Sequence, residues 1–223
     1  MKAYLAEWIG TAMLLAVVNG SGLMGETLGA GNAAVALLGN SIATGAGLYV
    51  LIVLLGPVSG AHFNPVVSLM SWRLGLLSAK TLLGYWICQV CGALTGVWLT
   101  HWMFNLPIIQ ASMKIRTGQG VWVSEFLSTL VLLAVIRLGD TTAKEKVPML
   151  VAMTVTAGYW FTSSTFFANP AVTFARSWTN TFVGIAPSDV LGFVVAQCLA
   201  VLLVMGFLAL VRNKPKLTAP TQD

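Results

Sequence analysis

The chain has few charged side chains and few groups of the kinds that catalysis or metal binding requires. Only 9% of its 223 residues are charged, against about 25% in a typical soluble domain. It has two histidines and three cysteines, and no serine–histidine or paired-carboxylate set lies within one apolar segment. The sequence therefore predicts no enzyme, no cofactor and no metal site. Hydrophobic residues reach 57%, which indicates a membrane protein.

Long apolar stretches separate the few charged residues. Six of them approach or exceed the roughly 20 residues that cross a bilayer: 5–24, 33–56, 82–104, 121–138, 147–163 and 188–211. Two stretches of about ten residues, 64–73 and 169–178, are too short to cross and predict re-entrant half-helices. The predicted fold class is an all-α membrane protein with six transmembrane helices and two half-helices.

The basic residues predict how the chain is oriented. If both termini are cytoplasmic, Lys114 and Arg116 lie outside and Arg176 lies in the second half-helix. The other nine then lie inside: Lys2, Arg73, Lys80, Arg137, Lys144, Lys146, Arg212, Lys214 and Lys216. Cytoplasmic loops carry an excess of Lys and Arg. We therefore expect a multi-pass protein of a bacterial inner (plasma) membrane, with membrane lipid and not nucleic acid around it.

The chain contains an internal repeat. Residues 6–18 (AEWIGTAMLLAVV) and 124–136 (SEFLSTLVLLAVI) are identical at six of thirteen positions, and Asn64-Pro65 recurs as Asn169-Pro170. Each half has three spans, an odd number, so the two halves enter the membrane in opposite orientations. The predicted organisation is a first repeat at 1–105, a connecting extracellular loop at 106–120, a second repeat at 121–211 and a cytoplasmic tail at 212–223.

Each Asn-Pro pair predicts the start of a half-helix, because Asn is favoured at the N-cap and Pro at the first helical position. Inversion of the repeat brings the two helix N-termini together near the bilayer centre. Their positive dipole ends oppose cations there, and the amides of Asn64 and Asn169 can donate hydrogen bonds to water or an alcohol. A polar, helix-breaking pair at membrane depth is costly unless it lines an aqueous path, so the two copies indicate a pore.

Two acids, Glu7 and Glu125, occupy matching positions in the first and fourth spans. A carboxylate inside a span is costly unless it has partners. The matching positions favour a structural role in which each acid accepts hydrogen bonds from the backbone of a re-entrant loop, with a proton relay as the alternative. His62 precedes Asn64 by two residues and is expected at the cytoplasmic mouth. A secondary active transporter is the alternative to a channel, because inverted repeats and broken helices occur there too.

These motifs resemble the aquaporin, or major intrinsic protein, family. The matching segments are 6–11 (AEWIGT), 59–67 (SGAHFNPVV), 124–129 (SEFLST) and 167–172 (FANPAV), and the resemblance covers residues 2–212. It implies a homotetramer of independent pores that conduct small neutral solutes passively. It also implies two pore motifs, one formed by Asn64, Pro65 and Val66 and the other by Asn169, Pro170 and Ala171.

The resemblance implies a selectivity filter as well, and here the sequence departs from the family. The family's filter spacings point to Thr44, Ala157, Phe166 and Val172, and Val172 stands where the family has an arginine. The expected ring is wider and lacks a fixed positive charge. It is similar to the filter of a bacterial subgroup associated with arsenic-resistance operons. The implied solutes are water, glycerol-like polyols and metalloid or organoarsenical species.

Arg176 follows Val172 by four residues and therefore lies on the same face of the half-helix, one turn further out. One interpretation is that the filter charge has moved outward into a vestibule that attracts oxyacids. The alternative is that Arg176 reaches the membrane interface or holds a loop carbonyl.

Overall fold

The computed structural model describes residues 1–212 of the chain, with side chains to residue 210. Regular structure within this range is helical: α1 (Lys2–Leu28), α2 (Ala33–Ser59), α3 (Pro65–Arg73), α4 (Ala79–Met103), α5 (Gln119–Thr142), a 3₁₀ turn (Lys144–Lys146), α6 (Val147–Phe161), α7 (Pro170–Arg176) and α8 (Pro187–Arg212). Residues 213–223, most of the predicted cytoplasmic tail, lie outside the described range.

Five helices, α1, α2, α4, α5 and α8, have the length and hydropathy of a membrane span. The other predicted span, 147–163, is helical over only the 15 residues of α6. Non-helical chain continues from the end of α6 to the start of α7. The predicted all-α membrane fold with six long helices is confirmed, and α6 is its shortest long helix.

The two half-helices begin where their caps predict. Asn64 is the N-cap of α3 and Asn169 is the N-cap of α7, and a proline occupies the first turn of each. The second half-helix, predicted over 169–178, ends at Arg176. A turn follows the helix, in which the backbone N–H of Ser177 donates to the carbonyl of Phe174.

The element order repeats as long, long, short, long in each half of the chain. In the first half α1 packs against α2 and α4, and in the second half α5 packs against α6 and α8. The halves meet where α2 lies against α6, and where each half-helix packs on a long helix of the other half: α3 on α8 and α7 on α4. The two half-helices also contact each other.

The crossing of α1 and α4 depends on the absence of side chains. A Cβ atom added at Gly92 would meet the backbone oxygen of Trp8, and one added at Gly96 would meet that of Ala12. Small residues at this spacing allow two helix backbones to approach closely in a membrane. This tight pairing holds Glu7, on α1, beside Gln89, on α4.

Candidate functional site

The two Asn side chains tie the re-entrant loops together at the point where α3 and α7 begin. The Nδ2 of Asn64 donates to the carbonyl of Ala168 at 2.7 Å, and the Nδ2 of Asn169 donates to the carbonyl of Phe63 at 2.8 Å. Their Oδ1 atoms accept helix N–H groups, that of Val66 at 3.0 Å and that of Ala171 at 3.0 Å. Each amide nitrogen carries two hydrogens, so each Asn retains one N–H for a solute.

The backbone before each Asn is held in a left-handed conformation by residues other than glycine. Ala61 and Phe63 have φ values of 49° and 47°, and the matching positions Phe166 and Ala168 have 54° and 46°. Such conformations cost roughly 1–3 kcal/mol each and persist only where surrounding contacts impose them. The internal repeat therefore extends to the backbone conformation of both loops.

Glu7 supplies those contacts for the first loop. Its Oε1 accepts from the hydroxyl of Ser59 at 2.6 Å and from the backbone N–H of His62 at 2.9 Å. Its Oε2 accepts from the backbone N–H of Phe63 at 2.7 Å and from the Nε2 of Gln89 at 2.8 Å. The carboxylate is fully buried, and both of its oxygens are used.

Glu125 contacts the second loop with one oxygen only. Its Oε1 accepts from the backbone N–H of Ala168 and from the Nε2 of Gln197, the latter at 2.7 Å. Its Oε2 is buried without a hydrogen-bond partner among the described residues. Ser164, which corresponds to Ser59, pairs instead with the hydroxyls of Ser124 and Ser128 at 3.3 and 3.4 Å. The two matched acids therefore differ in their hydrogen bonding.

A cavity of about 1040 Å³ is lined by both Asn side chains. Its mouth lies at the turn between α5 and α6, where two basic and two acidic residues line it (Arg137, Asp140, Lys144 and Glu145). Its walls are mainly aliphatic, with Leu14, Val18, Leu48, Leu132, Val151 and Val155 among the lining residues. At the level of Val172 and Arg176 the lining comes from α2, α6, α7 and the second loop.

Three of the four residues expected in the filter line the cavity. Thr44, Phe166 and Val172 line the cavity, but Ala157 does not; it is exposed on the outer side of α6. The expectation for Ala157 was wrong because the cavity face of α6 carries Val151, Val155 and Tyr159. Residues four apart share a helix face, so this spacing would have indicated Tyr159, whereas a count back from Asn169 did not.

Tyr159 therefore takes the place predicted for Ala157. Its hydroxyl lies 3.3 Å from the Oγ1 of Thr44, so the two side chains form one polar wall across the ring from α6 to α2. Phe166 and Val172 form the apolar remainder. The ring is narrower on the α6 side than the sequence predicts, because a phenol stands where a methyl group was expected.

The residues of the two Asn-Pro motifs differ in whether they line the cavity. Val66, which departs from the family's alanine, is buried in a core cluster with Leu133 and Val201 and does not line the cavity. Pro65, Pro170 and Ala171 do not line it either. Only the two Asn side chains of these motifs face the cavity. The valine at position 66 therefore affects the packing of the core and not the lining of the cavity.

His62 lines the cavity between the mouth and the Asn pair. Its Nδ1 lies 3.0 Å from the hydroxyl of Ser68, its Nε2 lies 3.4 Å from that of Ser71, and its ring meets Tyr85 edge-on at 5.4 Å. Each ring nitrogen has a hydroxyl partner, so His62 is held in place by the first half-helix.

Arg176 is buried, with 2% of its surface exposed, and lines the cavity together with Val172. Its Nε donates to the carbonyl of Val183 at 2.5 Å, and its guanidinium carbon lies 3.4 Å from the centre of the Phe167 ring. The side chain thus holds a loop carbonyl and also lines the cavity.

The loop between α4 and α5 joins this cationic region. The Nε of Arg116 donates to the carbonyl of Gly184 at 2.8 Å, and its guanidinium carbon lies 5.1 Å from the Phe167 ring centre. Burial lowers the pKa of Arg116 to about 10, which leaves it charged at neutral pH. Burial, and then the nearby charges of Arg116 and Arg176, lower the pKa of Lys114 to about 8.

Comparison with known proteins agrees with this arrangement. The sequence profile described as "Major intrinsic protein" matches residues 1–164. The chain is 52% identical over 195 residues to the aquaglyceroporin AqpS of Rhizobium meliloti (strain 1021), covering 87% of this chain and 83% of that protein. It is 35% identical over 118 residues to the glycerol uptake facilitator protein of Pseudomonas aeruginosa, covering 52% and 41%.

A solved structure has the same fold. The X-ray structure of the aquaglyceroporin from Plasmodium falciparum superposes with a TM-score of 0.73 at 19% sequence identity, covering 95% of this chain and 96% of that one. The six long helices and two half-helices described above are thus the architecture of a known channel structure.

Proposed function

The chain belongs to the major intrinsic protein family, and from that premise we propose that it is a passive membrane channel for water, glycerol-like polyols and related small neutral solutes. The observation that carries the proposal is the cavity lined by both Asn side chains and by the ring of Thr44, Tyr159, Phe166 and Val172. The relatives named above include an aquaglyceroporin and a glycerol facilitator, which supports a polyol as solute.

The ring suits a polyol because its two sides differ in polarity. Thr44 and Tyr159 offer two hydroxyls 3.3 Å apart, which can exchange hydrogen bonds with the hydroxyl edge of glycerol. Phe166 and Val172 offer an apolar surface for its carbon backbone. Deeper in the cavity, the free N–H groups of Asn64 and Asn169 can donate to the next hydroxyl in line. Neutral metalloid hydroxides have a similar size and hydroxyl edge, so we include them in the solute class.

The protein's setting follows from the same proposal. We place it in a bacterial inner membrane as a homotetramer of independent pores, with both termini cytoplasmic and the Arg137 mouth facing the cytoplasm. The nine-to-two distribution of basic residues supports this orientation. We also propose that the two halves, 1–105 and 121–211, are inverted repeats joined by an extracellular loop at 106–120.

Stopped-flow swelling of proteoliposomes under a glycerol gradient tests the proposal, with Val172→Arg as the partner variant. A channel predicts glycerol flux that is linear in concentration and independent of a proton gradient. In Val172→Arg the long cationic side chain should occupy the ring and reduce glycerol flux more than water flux. Saturable, proton-coupled uptake would instead indicate a transporter, and water flux without glycerol flux would contradict the assigned ring.

A further inference from the structure

We propose that Arg176 is the fixed positive charge that keeps cations out of this channel, displaced by one helical turn from Val172. The inference rests on the proposed function and adds to it that size selection and charge selection occupy different turns of α7. Val172 and its neighbours set the width of the ring. Arg176 sets the electrostatic barrier.

The distribution of charge along the cavity singles out Arg176. The charged side chains at the mouth are two of each sign, so their fields oppose one another. Between that mouth and the filter, His62 is the ionisable side chain among the described lining residues, and hydroxyls flank both of its nitrogens. Arg176 lines the cavity on α7, four residues after Val172 of the ring.

The side chain of Arg176 is held in a position where its charge can act on a cation in the ring. Four residues along an α-helix advance about 6 Å, so Arg176 stands one turn from the ring on the same side of the pore. Its Nε is bound to a neutral carbonyl, that of Val183, and its flat face lies on Phe167. Neither contact carries a negative charge, and an arginine remains protonated in proteins. The buried carboxylate of Glu125 acts on Arg176 electrostatically but forms no ion pair with it among the described residues.

A second cation strengthens the same region. Arg116 approaches the ring of Phe167 and holds the carbonyl of Gly184, next to the carbonyl that Arg176 holds. The adjacent carbonyls of the loop after α7 thus fix two guanidinium groups around one aromatic ring. Arg116 acts through this arrangement as a positioning residue, because Phe167 and the loop keep Arg176 at the cavity.

The size of the barrier follows from Coulomb's law. At an effective dielectric constant near 20, two unit charges about 6 Å apart repel by an energy that corresponds to roughly a hundred-fold lower occupancy. The N-terminal dipoles of α3 and α7 add a smaller positive potential at the Asn pair. Removal of the Arg176 charge should therefore raise cation permeability by up to about a hundred-fold and leave a residual barrier.

The experiment compares Arg176→Gln with Arg176→Lys in proteoliposomes. Glutamine retains a donor for the Val183 carbonyl without the charge, whereas lysine retains the charge. The measured quantity is the ratio of potassium or proton permeability to glycerol permeability in the same vesicles. We expect this ratio to rise at least ten-fold in Arg176→Gln and to stay near wild type in Arg176→Lys. Arg73→Gln, at an exposed arginine that does not line the cavity, is the matched control and should leave the ratio unchanged.

A second variant keeps the inference testable if Arg176→Gln does not fold. Val172→Asp leaves Arg176 in place but sets a carboxylate one turn away, and it too should raise the ratio. A ratio at the wild-type level in Arg176→Gln or in Val172→Asp, with glycerol flux still measurable, overturns the inference. Failure of the proposed function looks different, because the wild-type protein itself would then conduct no glycerol.

Discussion

Replacement of Glu7 by glutamine is expected to disrupt the first re-entrant loop, whereas the same replacement of Glu125 should leave the second loop intact. Both carboxylates are fully buried and occupy matching positions of the repeat. Glu7 uses both oxygens as acceptors, each of them for one backbone N–H. Glu125 uses one oxygen, and the other has no partner among the described residues.

The magnitude follows from the two orientations that the new amide can take. In Glu7→Gln the NH₂ group must face the backbone N–H of either His62 or Phe63, so one buried N–H loses its acceptor in both cases. An unpaired buried donor costs about 1–3 kcal/mol. In Glu125→Gln the NH₂ group can occupy the unpartnered Oε2 position and leave the bond to Ala168 unchanged. The variant then replaces one unpaired buried polar atom by another, so no further hydrogen bond is lost.

The assay is thermal unfolding of the detergent-purified protein, followed by glycerol flux in proteoliposomes. A loss of 1–3 kcal/mol in a chain of this size corresponds to an apparent melting temperature lower by roughly 2–12 °C. We expect that decrease, with reduced glycerol flux, for Glu7→Gln only. Glu26→Gln, at an exposed acid, controls for the loss of one negative charge. An equal decrease in Glu7→Gln and Glu125→Gln would refute the reasoning, since the charge and not the hydrogen bonding would then decide stability.

Three further predictions concern the cavity ring, the helix packing and the loop between α4 and α5. Tyr159→Ala should widen the ring and raise the flux of five-carbon polyols relative to glycerol in swelling assays, whereas Ala157→Leu, on the outer side of α6, should not change that ratio. Gly96→Ala places a methyl group against a backbone oxygen of α1 and should destabilise the protein by about 1–3 kcal/mol; Gly39→Ala, which meets no atom within 4 Å, should not lower the apparent melting temperature. The pKa of Lys114 is lowered to about 8, chiefly by burial. Between pH 8 and about 10.4 the unfolded chain therefore binds more protons than the folded chain, and the free energy of unfolding rises with pH. The melting temperature of the wild type relative to Lys114→Gln should therefore increase across that window, and a constant difference would contradict the lowered pKa.

The elements of the fold could be predicted from the sequence because local physics determines them. Apolar length identified the long helices, and the capping preferences of Asn and Pro fixed the starts of α3 and α7 to the residue. The helix ends were less accurate, since α7 stops two residues before the predicted position. No local signal marks that end, because the chain leaves the helix to hold the loop that contacts Arg176.

The filter was predicted less well, for a physical reason that Ala157 illustrates. A count from Asn169 gives a distance along the chain, but the direction of a side chain depends on the helix face, which repeats every 3.6 residues. Two positions further along, Tyr159 faces the cavity. The pairing of Arg116 with Phe167 could not be predicted either, because 51 residues separate them and only the packing of the loops brings them together.

The asymmetry between the two acids has a counterpart in the chain that follows α7. The second loop is bound by fewer carboxylate contacts than the first, but the chain that follows α7 has additional hydrogen bonds. Arg176 donates to the carbonyl of Val183, and Arg116 donates to that of Gly184. The backbone N–H of Ser112 donates to the carbonyl of Ser177 at 2.9 Å. Because Arg176 both anchors this chain and lines the cavity, the residue one turn earlier does not have to anchor the loop. Val172 can therefore be small without loss of the loop's anchor, and this is why we expect pore width and cation exclusion to respond to different substitutions.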